Sequence, residues 1–245
     1  MNDTLQLLHD HRSDRAFTGE GVPDAQLDAI VEAAHRAPNF FNGQQISLVV
    51  VRDAERRQRI SALTGGQAAI AKAPVFITVV IDFHKTALGV QLAGGSQVIH
   101  ESVEGFAVGA VDAGIAVASL IVAARSLGLG AVPIGGIRKD PQALIDLLEL
   151  PRLTFPIAGV ALGPIAQQAP QKPRLPLSSF RHDEHYRAQG LQDDIRAYDR
   201  TLEDYWRALG RPEGKTWSQA ALRYTKVYFP ETRAATLRQG FTLDK

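Results

Sequence analysis

Two basic clusters hold the residues best suited to chemistry: His11-Arg12-Ser13 with Arg15 near the start, and Lys172-Pro173-Arg174 far along the chain. Donors of this kind suit a phosphate. A phosphomonoester carries a charge of about −1.5 to −2 at neutral pH, and each charge-assisted hydrogen bond to it contributes about 1.5–3 kcal/mol. Sequence separation does not prevent the clusters from meeting. Taken singly, each reads as solvated surface charge, because exposed charges contribute little.

Neutral recognition groups lie elsewhere. Asn39-Phe40-Phe41-Asn42-Gly43-Gln44-Gln45 offers amides and two aromatic rings that can grip the edge and face of a heteroaromatic ring; read locally, it is a turn around Asn42-Gly43. Gln67, after Thr64-Gly65-Gly66, has the same capacity. Gly128-Leu129-Gly130 and Gly135-Gly136 bracket a short strand over 131–134, and glycine at strand ends lets backbone N–H groups approach a flat ligand. The dinucleotide fingerprint is not met: Gly128-Leu129-Gly130-Ala131-Val132-Pro133 sets proline where the third glycine belongs and a strand where a helix should open. His182-Asp183-Glu184-His185 matches neither the helical H-E-x-x-H pattern nor a finger and reads as a solvated loop, so no metal is expected. No G-x-S-x-G elbow anchors a serine hydrolase.

The chain has 245 residues, 45% of them hydrophobic, enough to bury a core. With 27 basic against 26 acidic residues, no global charge argues for a nucleic-acid or membrane-surface partner, and any anion site is local. The absence of cysteine excludes disulfides, thiolate metal sites, iron–sulfur clusters and cysteine nucleophiles, so redox chemistry needs a borrowed cofactor. The polar opening Met1-Asn2-Asp3-Thr4-Leu5-Gln6 lacks the basic start and apolar run of a secretion signal, which points to the cytoplasm.

Periodicity and punctuation predict the elements that must position these groups. A short amphipathic helix over 5–10 leads into the basic pentad. A second starts at Asp24, placed to cap it, turns Leu27, Ile30, Val31 and Ala34 inward and stops at Pro38. Ile46–Val51 reads as a buried strand, a helix opens near Asp53, and 74–81 is a second strand of the same sheet. Residues 84–102 read as loop with some helix. Residues 104–127 are nearly all apolar, but Asp112 at their centre and the lack of a second span argue against a membrane crossing. Gly105, Gly109 and Ala113, four apart, instead predict a central helix buried in a large dimer interface. Asp140-Pro141 opens another helix, 155–162 is a strand, and Pro170, Pro173 and Pro176 punctuate an exposed connection to charged, aromatic helices from about Gln192. Helices and strands without strict alternation give an α+β class. The expected organisation is a core over 1–190 and a C-terminal helical extension over 191–245 packing on the core or a partner subunit, one domain overall.

Together these features resemble the flavin-dependent nitroreductase family, in its NADPH-linked oxygen-insensitive nitroreductase and flavin reductase branch. The matching stretches are His11-Arg12-Ser13-Asp14-Arg15, Thr64-Gly65-Gly66-Gln67, Ser126-Leu127-Gly128-Leu129-Gly130, Ile134-Gly135-Gly136-Ile137-Arg138 and Lys172-Pro173-Arg174-Leu175-Pro176, in order through almost the whole chain. The resemblance implies a central, mostly antiparallel sheet flanked by helices, in an intertwined homodimer with FMN at the interface. It assigns the FMN phosphate to His11, Arg12, Ser13, Lys172 and Arg174, and the polar edge of the isoalloxazine to Arg15 and Gln67. Ile134, Gly135 and Gly136 then lie near N5. The loop with Asn39, Asn42 and Gln44 reaches the other subunit's flavin, with Phe41 and Asn42 facing the substrate.

The activity implied is a ping-pong NAD(P)H oxidoreductase reducing nitroaromatics, quinones or related small-molecule acceptors. Hydride chemistry rests on FMN, with no dedicated side-chain acid or base and Arg15 as an electrostatic stabiliser. The alternatives are an NAD(P)H:flavin reductase supplying free reduced FMN and a non-catalytic flavin-binding protein. Where the better-known nitroreductases of the branch are serine-rich, residues 39–45 look more like its flavin reductases. Arginines for the 2′-phosphate of NADPH are not cleanly matched; Arg211 and Lys215, before Trp217, are the candidates, and NADPH (or NADH) is the expected donor.

Overall fold

The computed structural model describes all 245 residues. In chain order the elements are α1 (Asp3–His9), β1 (Ala16–Phe17), α2 (Asp24–His35), β2 (Ile46–Val51), α3 (Ala54–Leu63), α4 (Ala68–Lys72), β3 (Val75–Asp82), α5 (Phe83–Leu92), α6 (Val103–Ser126), β4 (Gly130–Ile134), α7 (Pro141–Leu147), β5 (Thr154–Gly163), β6 (Ile165–Gln167), α8 (Leu191–Ala208), α9 (Trp217–Ala221) and α10 (Glu231–Arg238). One sheet runs β2-β3-β5-β4 with every pairing antiparallel, and β1 pairs separately with β6. Mixed helices and an antiparallel sheet make the α+β class.

β3 is central, paired on both sides, and every residue from Val75 to Ile81 is buried. The strand's two-residue period divides it between two cores. Val75, Ile77 and Val79 pack with Leu27 and Ile30 of α2 and Leu120 and Ala124 of α6. Phe76 packs on the other face with Ile60, Ile70, Ile137 and Leu144. β2 has a similar apolar sequence but lies at the sheet edge, so only Val51 is buried. The expectation of a buried strand is corrected: β-branched residues mark strand propensity, not position within a sheet.

Other expectations shift for equally local reasons. Asp24 opens α2 without capping it; Pro23 holds the cap position, and the Asp24 carboxylate pairs with Arg52. Asp53, Ser102 and Asp140 do cap α3, α6 and α7, each accepting from the backbone N–H three residues on. The 84–102 stretch contains a full helix, α5, capped by Asp82. Its periodicity is weak because only Phe83 is buried.

The small-residue stripe of α6 is corrected in its partner. A Cβ on Gly105 would collide with the Ile99 carbonyl, one on Gly109 would lie 2.6 Å from Ile81 Cγ2, and Ala113 is in the core. The stripe therefore lets α6 close on its own chain, since a helix needs small residues to approach a strand as much as another helix. α6 is long and apolar enough to cross a bilayer, yet this face is packed on protein. Val103 and Val111, elsewhere on the helix, are each 62% exposed.

The chain divides into two compact units, residues 1–169 with 229–245, and residues 170–228. The sequence reading drew its boundary at 190/191. In the first unit the last residues return to the core: Phe241 and Ala235 are buried with Phe83, Ile145 and Phe155, and the Phe241 ring meets Phe83 and Phe106 edge-on. In the second unit the proline connection packs onto α8, where the buried Tyr198 donates its hydroxyl to the Pro173 carbonyl at 2.7 Å.

Candidate functional site

Arg125, in the last turn of α6, donates to the carbonyls of Leu7 (2.9 Å) and Asp10 (2.7 Å). These carbonyls at the end of α1 lack helical partners of their own. The chain is thereby held where it leaves α1 for His11, Arg12 and Ser13, all half-buried. Arg15, exposed, turns back to donate to the Ser13 carbonyl at 3.0 Å. Asp14 is buried and accepts from the Ala169 N–H at 2.8 Å. A Cβ on Gly130 would lie 2.9 Å from that of Asp14, so the pentad sits against the start of β4. No protein group pairs with the Arg12 side chain. A half-buried guanidinium in that state is open to an anion.

At the far end of β4 a second group assembles. Ile134 is buried, and Gly135 and Gly136 follow it at the surface. A Cβ on Gly136 would collide with Gln67 Nε2 and lie 3.4 Å from the Thr64 carbonyl, while one on Gly65 would lie 3.0 Å from Lys139 Nζ. The turns at 64–67 and 135–139 are thus pressed together by glycine, and the Gln67 amide is seated on bare backbone. From Gly130 to Gly135 is five residues of strand, about 16 Å. The first unit therefore offers a cationic, hydroxyl-bearing end and an amide end along one strand, a pattern for an elongated ligand with an anionic tail and a flat polar head.

The 39–45 loop is a third group. It forms a short 3₁₀ turn over Phe40–Asn42, and Phe41, Asn42 and, beyond the turn, Gln44 have φ of 55°, 54° and 51°. The turn expected around Asn42-Gly43 is present: the Gly43 N–H closes it on the Phe40 carbonyl at 2.8 Å, with Gly43 at φ −70°. Gly43 is needed for space: a Cβ there would collide with Gln45 Oε1. The Asn39 side-chain oxygen accepts from Gln44 N–H at 3.0 Å, and the Phe40 and Phe41 rings meet edge-on at 5.0 Å. Beside the loop lies a cavity of about 270 Å³ edged by His35, Asn39, Gln44, Lys85 and Asp112.

In the second unit, Lys172 Nζ lies 5.5 Å from the Trp206 ring centre, and Arg174 donates to the Lys172 carbonyl at 3.0 Å. Burial pushes the Tyr198 phenol pKa up, against the nearby charge of Arg174. Arg211 and Lys215 flank a turn folded over the same tryptophan: Trp206 Nε1 donates to the Lys215 carbonyl at 2.9 Å, and a Cβ on Gly214 would strike the ring. The sequence reading missed the supporting residues Asp14, Arg125 and Asp112. For the last of these a signal was present, a lone carboxylate amid an apolar run.

The Nitroreductase family model matches residues 8–164, and the model described as Nitroreductase family, C-terminal domain, matches residues 172–244. The chain is 43% identical, over the full length of both, to the FMN reductase [NAD(P)H] of Bacillus subtilis. It is 36% identical to the oxygen-insensitive NADPH nitroreductase of Salmonella typhimurium, covering 89% of each chain. Among solved structures it resembles the NADPH:FMN oxidoreductase of Vibrio harveyi complexed with NAD+, with a TM-score of 0.89, 31% identity and coverage of 98% of this chain and 99% of that one.

Proposed function

The chain belongs to the nitroreductase family, and from that premise we propose that it is an FMN-dependent NAD(P)H oxidoreductase reducing nitroaromatics, quinones or related small acceptors, donor and acceptor taking turns at one site. The observation that carries the reading is β4 with its two ends, partnerless Arg12 near one and Gln67 seated on Gly136 at the other. These residues fit a flat heteroaromatic ring with a phosphate tail. When bound, FMN takes two electrons from the reduced nicotinamide and passes them to the acceptor.

The chain's own residues bind and orient. His11, Arg12 and Ser13 of the first unit are our candidates for the phosphate, and Lys172 and Arg174 of the second unit are further candidates for it. Arg15 sets positive charge at the polar edge of the ring, Gln67 hydrogen-bonds that edge, and Ile134, Gly135 and Gly136 line the ring near N5. Arg211 and Lys215 take the 2′-phosphate of NADPH, a contact that NADH lacks. The working form is a homodimer in which Asn39, Asn42 and Gln44 reach the flavin of the second copy and Phe41 and Asn42 face the substrate. The exposed valines of α6 supply apolar surface for that association. We place the enzyme in the cytoplasm, where reduced nicotinamide is supplied.

Gly136→Ala tests the ring end. The added methyl must displace the Gln67 amide, so FMN affinity is expected to fall about tenfold, the worth of one hydrogen bond. Fluorescence titration of apoprotein measures it; unchanged affinity would remove Gln67 from the site.

The reading as a whole is tested by the absorbance spectrum of purified protein, followed by anaerobic NADPH, NADH and then acceptor. A flavin spectrum bleached by the nicotinamide and restored by the acceptor is expected. Colourless protein that takes up no added FMN overturns it. A second reading, with free flavin as acceptor, is favoured by the edge-on Phe40–Phe41 pair, whose open surface suits another flat ring. Comparing kcat/KM for a nitroaromatic and for free FMN decides between them.

A further inference from the structure

Asp112, near the middle of α6, is 3% exposed. Its carboxylate accepts the Phe40 N–H through both oxygens, at 3.3 and 3.2 Å, and Gln45 Nε2 at 2.6 Å. Both donors belong to the 39–45 loop, one near each end. A buried carboxylate is costly unless hydrogen-bonded, and here the loop supplies the bonds. Between the two ties lie the non-glycine residues with positive φ, Phe41, Asn42 and Gln44. Left-handed backbone at such residues costs about 1–2 kcal/mol each and persists where the surroundings over-determine it. The result is a strained loop fastened at both ends to the central helix, holding Phe40 and Phe41 outward at 52% and 90% exposure.

We propose that Asp112 is a positioning residue for the electron acceptor: through Phe40 and Gln45 it holds the 39–45 loop in the conformation that presents the two phenyl rings to an aromatic acceptor. The proposal rests on the function argued above. Asp112 is buried, both of its hydrogen-bond donors lie in the loop, and it acts through them. A dinucleotide donor has a separate anchor in Arg211 and Lys215, whereas a small acceptor has only the ring face and this loop. Loosening the loop therefore raises KM for the acceptor and spares the reaction with the nicotinamide.

The test compares two variants in two half-reactions. Asp112→Leu keeps the branched shape of the side chain and removes both acceptors. Asp112→Asn retains one oxygen for Phe40 and, with the Gln45 amide turned over, a donor for Gln45, so it rescues. If the competent loop population in Asp112→Leu falls to about a tenth, KM for a nitroaromatic rises about tenfold, apparent affinity scaling with that fraction. Anaerobic flavin reduction by NADPH is expected to stay within about threefold, FMN affinity to fall by clearly less than the acceptor KM rises because the loop is one of several flavin contacts, and amide exchange across 39–45 to quicken; Asp112→Asn should recover most of the loss. Wild-type behaviour of Asp112→Leu in both half-reactions overturns the proposal, as does an equal loss in both. Should Asp112→Leu fail to fold, Gln45→Leu cuts one tie and must move the acceptor KM in the same direction. Wild-type protein that binds no FMN overturns the function reading itself. A competent wild type whose variants show no acceptor-specific effect overturns only the role of Asp112.

Discussion

Arg12→Ala combined with Arg174→Ala is expected to raise the FMN dissociation constant about a hundredfold or more. Each guanidinium can make charge-assisted hydrogen bonds to the phosphate worth about 1.5–3 kcal/mol, and two of them together span about 3–6 kcal/mol before solvation takes its share. Removing Arg12 leaves no protein group stranded, because it has no partner in the chain, so the loss falls on the ligand and not on the fold. The two effects need not add. Arg12→Lys should keep part of the affinity, as a point charge without the bidentate fork. Raising the salt concentration should weaken wild-type binding more than that of the double variant, because screening acts on the charges the variant lacks. Titration of apoprotein with FMN at two ionic strengths reads all of this. An unchanged dissociation constant would remove both arginines from the phosphate site.

The second large effect is on stability. Phe76 is fully buried on β3, and its ring lies where a Cβ on Gly159 of the neighbouring β5 would be, with Ile137 beside it. Phe76→Ala leaves a cavity in the layer shared with Ile60, Ile70 and Leu144, and truncations of this kind cost about 3–5 kcal/mol. At roughly 2–4 °C per kcal/mol for a chain of this size, the melting midpoint should fall by about 6–20 °C. Gly159→Val attacks the same contact from the other side: the ring must leave its place, an overpacking cost of about 1–3 kcal/mol. Gly159→Ala combined with Phe76→Leu should be less destabilising than the sum of the two, because the smaller side chain makes room for the methyl. Ile137 follows directly on Gly135-Gly136, so loosening this layer should also weaken FMN retention. Thermal and urea melts with and without FMN report both; a Phe76→Ala cost below about 1 kcal/mol would show that the ring is not what holds this layer.

Much of this molecule was legible before any coordinates. The bounds of β2, the apolar run of β3, the helix start near Asp53, the cap at Asp140 and the proline after it all act within a few residues, and all appear where the sequence puts them. Ordered motifs through the chain were enough for the family, because a glycine pair after a strand or a basic pentad after a helix is a local pattern. Their assembly was not legible. Gln67 on Gly136, Asp14 under Ala169 and Arg125 on the end of α1 join residues 69, 155 and up to 118 positions apart in sequence.

Two elements mark the division. Residues 104–127 announced a long apolar helix with a small-residue stripe, and α6 is that helix. Its stripe, however, faces Ile81 and Ile99 of the same chain, because spacing specifies a close approach without naming what approaches. The 39–45 loop announced amides and aromatic rings, but its shape depends on Asp112, reached by hydrogen bonds 67 and 72 residues away in sequence. By itself the sequence determined most element types and the family, and it supplied the candidates for holding a flavin, since propensity, capping and turn chemistry are short-range. Only the tertiary structure decided which face of α6 is buried, which strand is the edge and what holds the loop in strain, since burial and long-range hydrogen bonds exist only once the sheet has its order and the helices have closed on it.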